Sequence, residues 1–300
     1  MSDQPNHVTL ADAYTRIRDA AVDAAIHFSN AEVRNNAISG ENRELSRVAF
    51  SLRDAVTYRF DSLLYHHDLI VKSHEAAQKA VSGNHEQGRD ILRQVATSQR
   101  FLFDDVIFNS IGLFDYLGHF GGLMLRNARG PRLRWDKFYK WSKHASAGAA
   151  GVGNPIHGTR TASLVVEADE GWVRKLTTLR SDIIHYESEK VNGRVRMEWR
   201  GQDSTTTQLL DAYVPRSFLK TLGISENEGV TAIPAASELL VSRVFTTVES
   251  ILLALGQDLA DRVPDLPEGV IPTAPVLTRR HADTAAPADS NDDALSPGES

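Results

Sequence analysis

No cysteine occurs in the 300 residues. Disulfides, thiolate metal sites and cysteine nucleophiles are therefore excluded. A surplus of positive charge is also missing. Lys and Arg number 33 against 39 Asp and Glu, for a formal net charge of −6, so the chain as a whole exerts no electrostatic pull on nucleic acid. No apolar run reads as long enough to cross a bilayer, and the opening Met1-Ser2-Asp3-Gln4-Pro5-Asn6 is polar, unlike a secretion signal. A soluble cytoplasmic protein that makes no membrane contact is the expectation. Nucleotide and hydrolase signatures are missing too: the glycines at Gly148, Gly151 and Gly153 follow no Walker spacing, and there is no Gly-x-Ser-x-Gly elbow. His66-His67-Asp68 lacks the His-Glu-x-x-His spacing of a zinc site and reads as structural. Asp104 and Asp105, near Asn109 and Asp115, could in principle hold a metal, but they read more simply as the wet face of a helix. No cofactor and no metal are expected.

What is present is helical periodicity. Ala11, Tyr14, Ile17, Ala21, Ala24 and Phe28 recur at helical spacing and predict a first helix over 10–30, with Asn35-Asn36 through Gly40 as a loop. Leu45, Val48, Leu52, Val56, Leu63 and Ile70 predict one long helix over 41–82, uninterrupted by Gly or Pro and closed by Gly83-Asn84. A third runs over 85–118, its end weakened by Gly118, Gly121 and Gly122. A fourth covers 132–146 behind Pro131, followed by a Gly/Ala-rich loop over 147–158 and a helix over 161–188. The period then changes to two. Val195, Met197 and Trp199 alternate with Arg194, Arg196, Glu198 and Arg200, and Thr205 to Val214 can pair back, giving a β-hairpin over about 191–214. A last helix starts near Pro234, buries Leu240, Val244, Val248, Ile251, Leu255 and Leu259, and stops by Pro264. Residues 1–9 and the Pro-, Ala-, Asp- and Ser-rich 264–300 read as disordered, the latter an acidic tail. The fold class is all-α: an up-and-down bundle over 10–263 with one inserted hairpin, divided into N-terminal helices (10–84) and a second part (85–263).

Two segments carry chemistry. From Arg126 to His144, cations (Arg126, Arg129, Arg132, Arg134, Lys137, Lys140, Lys143) interleave with Trp135, Phe138, Tyr139 and Trp141, and only Asp136 opposes them. Trp135, Phe138 and Tyr139 share an inward face, whereas Arg134, Lys137, Trp141 and His144 share another. A cationic face with an exposed indole suits a phosphate backbone and a stacked base. A plain solvated face is the equally weighted alternative. Arg194, Arg196 and Arg200 add a second basic strip.

The other segment is Leu179-Arg180-Ser181-Asp182-Ile183-Ile184-His185-Tyr186. Trp172, Leu176, Leu179, Ile183 and Tyr186 make its apolar stripe. Arg180 and His185 lie away from that stripe, about 140° apart by the helical period. Arg59 and His66 show a similar spacing, but Phe60 follows that arginine and His66 falls on an apolar stripe.

The octapeptide resembles the signature of the HEPN superfamily of helical domains: an Arg, a polar residue, an aliphatic pair, then His. Ser181 stands where the family more often carries Asn. The resemblance covers the chain from the third helix onward and implies a helical bundle that pairs as a homodimer, in stress response or antiviral defence. It implies Arg180 as phosphate ligand, His185 as general acid/base and Ser181 as a supporting hydrogen bonder. The RNA-binding set expected from the charge pattern itself is Arg134, Lys137, Trp141 and His144 with Arg194 and Arg196. The chemistry fits these residue types. Histidine titrates near neutrality and arginine grips phosphate oxygens without losing its charge. The expected activity is metal-independent endonucleolytic cleavage of single-stranded RNA. The alternatives are a non-catalytic scaffold that binds RNA or a partner protein, and a small-molecule-binding bundle with a crevice beside Trp141 and Tyr186.

Overall fold

Helix α1 spans Leu10–Ser39, longer than its apolar repeat suggests. It runs through Asn35-Asn36 because its last turns are held from outside. Buried Glu32 accepts from the Leu45 and Ser46 N–H groups at 2.5 and 2.8 Å and from the Ser46 hydroxyl. That satisfies the free amides at the start of the next helix, α2 (Ser46–Gly83). Arg34 Nη1 donates to Pro264 O at 2.9 Å. α1 ends where Gly40 turns left-handed at φ 69°, its N–H donating to Asn36 O at 2.9 Å.

Residues 10–40, 45–83, 85–126, 134–144, 154–185, 212–214, 217–224 and 231–271 are described in this computed structural model. The remaining elements are α3 (His85–Arg126), α4 (Trp135–Lys143), α5 (Arg160–Ala168), a π-helical turn (Asp169–Val173), α6 (Arg174–His185), β1 (Tyr213–Val214), α7 (Ser217–Thr221), β2 (Thr231–Ala232) and α8 (Ile233–Ala260). The all-α reading holds.

Four long helices share the core. Their directions follow from paired contacts. Arg59 reaches Asn109 at 3.4 Å and His66 reaches Asp105 at 3.6 Å, so α2 and α3 are antiparallel. Phe60 meets Phe245 and His67 meets Ser237, so α2 and α8 are antiparallel as well. Arg16 pairs with Glu249, and Arg34 with Pro264 just past α8, so α1 and α8 are parallel. The last helix therefore runs alongside α1 and α3 rather than alternating with them, because the chain from α4 onward returns it to the starting end. Every residue of the expected α8 line, Leu240 through Leu259, is buried. α8 is also, among the described residues, the one helix whose length and hydropathy (mean 1.6) match a membrane span, which the sequence reading passed over; half of that window is buried in the bundle.

The three glycines near the end of α3 do not end it. A Cβ on Gly118 would lie 2.9 Å from Trp135 N, and one on Gly121 2.7 Å from the Phe138 ring. Gly118 and Gly121 form a notch that lets α4 sit directly on α3. Trp135, Phe138 and Tyr139 bury there as expected, the Trp135 ring tilted 59° against Phe114 at 4.9 Å between centroids. Asp115 Oδ1 accepts from Trp135 N–H at 3.2 Å, so a carboxylate of α3 caps α4. At the other end Asn154 Nδ2 donates to the carbonyls of Trp141 (2.5 Å) and His144 (2.7 Å).

The predicted helix over 161–188 runs unbroken through the described residues to His185, with a π-turn inside it that divides it into α5 and α6. Thr159 caps α5 through its hydroxyl, and buried Asp258 of α8 accepts from Thr161 N–H and Oγ1 at 2.9 and 2.7 Å. The expected hairpin over 191–214 falls almost wholly outside the described residues. Its described end pairs elsewhere: β1 is antiparallel to β2, with Tyr213 opposite Ala232 and Val214 opposite Thr231. The expected disordered stretch 1–9 and the tail beyond 271 also lie outside them. Pro264, assigned to the tail, is held by Arg34.

Candidate anion-binding cleft

Seating α4 in the α3 notch places it opposite the π-turn and α6. Between them lies a cleft of about 670 Å³, lined by Phe114 and Asp115 of α3, by α4, and by Asp169, Arg174, Thr177, Thr178 and Arg180. Asp169 is the π-turn residue that lines it. Asp169, 4% exposed, accepts from Trp135 Nε1 at 2.9 Å and is ion-paired with Arg174. One carboxylate thus ties α4 to the start of α6. Extra residues in a helix re-aim the side chains after them, and here those side chains are the ones facing the cleft.

Polar contacts partition the cations. Lys143 Nζ lies 2.6 Å from Glu170, which also accepts from Tyr139 Oη at 2.9 Å. These contacts hold the Lys143 pKa above and the Glu170 pKa below their ordinary values, chiefly through the Lys143–Glu170 hydrogen bond. Lys140 lies 3.7 Å from Asp136, an exposed pair of little worth. Arg174 is paired with Asp169 and stands 4.7 Å over the Tyr139 ring. Arg134 and Arg180 have no carboxylate partner among the described residues. Arg180 lies over Phe108 at 5.0 Å, and its Nε is buried without a hydrogen-bond partner. An unpaired buried donor is expensive to keep, and a group that binds an anion has reason to keep it.

The structure brings together two features that the sequence analysis held separate: Arg134 and His144 from the basic segment and Arg180 from the motif all line this cleft. It does not bring in Lys137 and Trp141. The cleft face of α4 is Asp136, Tyr139, Lys140 and Lys143. Trp141 is not the exposed indole that was expected: it is partly buried against the core, and Arg126 covers its ring at 4.0 Å. Lys137 is exposed on the neighbouring face. Arg194 and Arg196 lie outside the described residues, as do Tyr186 and the side chains of Ser181 and His185. α6 carries Ser181 and His185 directly beyond Arg180. Arg174, Thr177 and Thr178 were missed, although their helical spacing to Ser181 and Arg180 was a usable signal.

The other candidates resolve into structural roles. His67, not His66, occupies the apolar stripe: it is 6% exposed and bonded to Ser237 Oγ at 2.9 Å. His66 Nδ1 lies 2.7 Å from Ser62 O. No cluster of three or more His, Asp or Glu suited to a metal occurs among the described residues. Asp115 is occupied as a cap, and Asn109 is bonded to Asp105 O and Arg59.

Asp104 is different. Its Oδ1 is buried without a partner, and desolvation, then Asp105, raises its pKa from 3.8 to about 6. The fold thus favours the protonated form. Stability falls as pH rises from 3.8 to about 6, and the penalty is complete above that. Asp104→Asn is expected to raise the melting temperature at pH 7.5 and to leave it nearly unchanged at pH 3.5. Burial lowers the His67 pKa and so favours its neutral form, opposing protonation as pH falls below 6.5. That effect is common to both proteins and cancels in the difference.

Comparison of the chain with protein-family models, curated proteins and solved structures finds no match.

Proposed function

We propose that the cleft between α4 and α6 holds the phosphodiester backbone of single-stranded RNA, and that the protein is a HEPN-type, metal-independent endoribonuclease. The observation that carries this reading is Arg180: a guanidinium without a carboxylate partner, its Nε desolvated, on the wall of a cleft it shares with Arg134 and Lys140. Arginine offers a planar fork to phosphate and cannot neutralise itself by losing a proton. Thr177, Thr178 and Tyr139 line the cleft around it, but their hydroxyls donate to Val173 O, Arg174 O and Glu170, so the guanidinium is the donor on which the reading rests.

The chemistry then rests on His185. Neutral imidazole takes the proton of the ribose 2′-hydroxyl, and that oxygen attacks phosphorus. The P–O5′ bond breaks, and a protonated imidazole returns a proton to the departing 5′-oxygen. Arg180 offsets the charge that grows on the phosphorane. One α6 supplies one histidine, and a two-fold pair of chains supplies both partners. The test is incubation of the full chain with labelled single-stranded RNA in EDTA, which is expected to give 2′,3′-cyclic phosphate and 5′-hydroxyl ends. RNA carrying 2′-O-methyl groups throughout should bind and stay intact.

The second reading, a non-catalytic RNA-binding module, needs only the cations: Arg134 and Arg180, which have no carboxylate partner among the described residues, and Lys140, whose exposed pair exchanges readily. It predicts binding of both RNAs and cleavage of neither.

A further inference from the structure

On the side of the bundle formed by α1 and α2, Asp54, Tyr58, Asp61, Tyr65 and Asp68 recur at alternating steps of four and three residues. That spacing keeps all five on one ridge of the helix, about 21 Å long at 1.5 Å per residue. Tyr58 is 67% and Tyr65 60% exposed, an unusual degree for aromatics at neighbouring ridge positions. Tyr14 of α1 faces them, and together with Ala11 and Leu64 they enclose a surface groove of about 510 Å³. No phenol in it is bonded to another described residue, and Asp61 is likewise unpartnered. Asp54 pairs with its neighbour Arg53, and Asp68 with Lys72 while also acting on His67; both ion pairs are exposed and exchange readily.

We propose that this ridge is a docking surface for an arginine-bearing segment of a partner protein. Alternating phenol and carboxylate is the combination a guanidinium can use in full. The ring face attracts the cation, and the carboxylate accepts its paired N–H groups. Charge complementarity selects this occupant. The aspartates repel a phosphate backbone, and a ridge of such length exceeds a small organic cation. The site is separate from the cleft and does not depend on the RNA reading.

The test is titration of the full chain into a fluorescein-labelled nona-arginine peptide, followed by anisotropy. Wild type binds. The double variant Tyr58→Ala/Tyr65→Ala, with an unchanged melting curve because both rings are exposed, weakens binding about tenfold or more, whereas Tyr58→Phe/Tyr65→Phe stays within about threefold because the ring face is retained. Asp61→Asn weakens binding more than Glu268→Gln, an exposed carboxylate outside the groove, and Arg180→Ala leaves it unchanged. The proposal is overturned if the alanine pair binds as wild type, if Glu268→Gln weakens binding as much as Asp61→Asn, or if free arginine binds as tightly as the peptide.

Discussion

On the proposed reading, His185→Ala is expected to lower cleavage of single-stranded RNA in EDTA by about 10³-fold or more, because one substitution would remove the base and, through the second chain, the acid. Binding of the uncleavable 2′-O-methyl RNA stays near that of wild type, since the imidazole is not the phosphate ligand in this account. Arg180→Ala is expected to behave differently: a loss of about 10²- to 10³-fold in rate, the cost of removing one preorganised charge, together with weaker binding. Arg180→Lys does not restore the rate, because an ammonium cannot reproduce the fork. The contrast between the two positions separates a proton-transfer role from a charge-binding role. Gel quantification of initial rates, with anisotropy for binding, reads both. If His185→Ala cleaves as wild type does, the catalytic reading is lost and the binding reading remains.

Gly118→Val is expected to destabilise the fold by about 3 kcal/mol and to abolish RNA binding together with stability. A Cβ there meets Trp135 N at 2.9 Å and Arg134 C and Trp135 Cα at 3.0 Å, all backbone, so no rotamer change relieves the clash. α4 must lift from α3, and the Asp115 cap and the Trp135–Asp169 bond go with it. Gly121→Ala is milder: its obstacle is the Phe138 ring at 2.7 Å, and Ala gains about 1 kcal/mol of helix propensity over Gly. Denaturant unfolding of both variants checks the ranking. Equal stability of Gly118→Val and wild type would remove the notch from the account of how the cleft is built.

Much of this architecture was legible in the sequence because long amphipathic repeats leave little choice. The α8 line came directly from apolar spacing, as did the inward set Trp135, Phe138 and Tyr139; the α1 and α2 lines came through in part, since Ala11 and Val48, read as members of them, are exposed. The misreadings have one source: a local signal outweighed by a tertiary contact. Asn35-Asn36 looked like a loop, but Glu32 and Arg34 hold that turn. Gly118 and Gly121 looked like a helix end, but their missing side chains make room for α4. Trp141 looked exposed because nothing local showed that Arg126 would cover it. The π-turn at Asp169–Val173 left no periodic trace, and without it the joint between α4 and α6 could not be read. Arg180 was found by its motif, whereas Arg174 became visible only once Asp169 and Tyr139 were beside it in space.

The central claim is that the unpartnered cations of this cleft hold phosphates, and a salt titration tests it most directly. Anisotropy of a labelled, uncleavable single-stranded RNA is measured against wild type, Arg180→Ala and Arg134→Ala over a KCl series. Each variant is predicted to bind more weakly and to reduce the slope of log affinity against log salt by roughly 0.7, the change for one lost phosphate contact on a single strand. Slopes and affinities identical to wild type in both variants would place the RNA elsewhere and contradict the account.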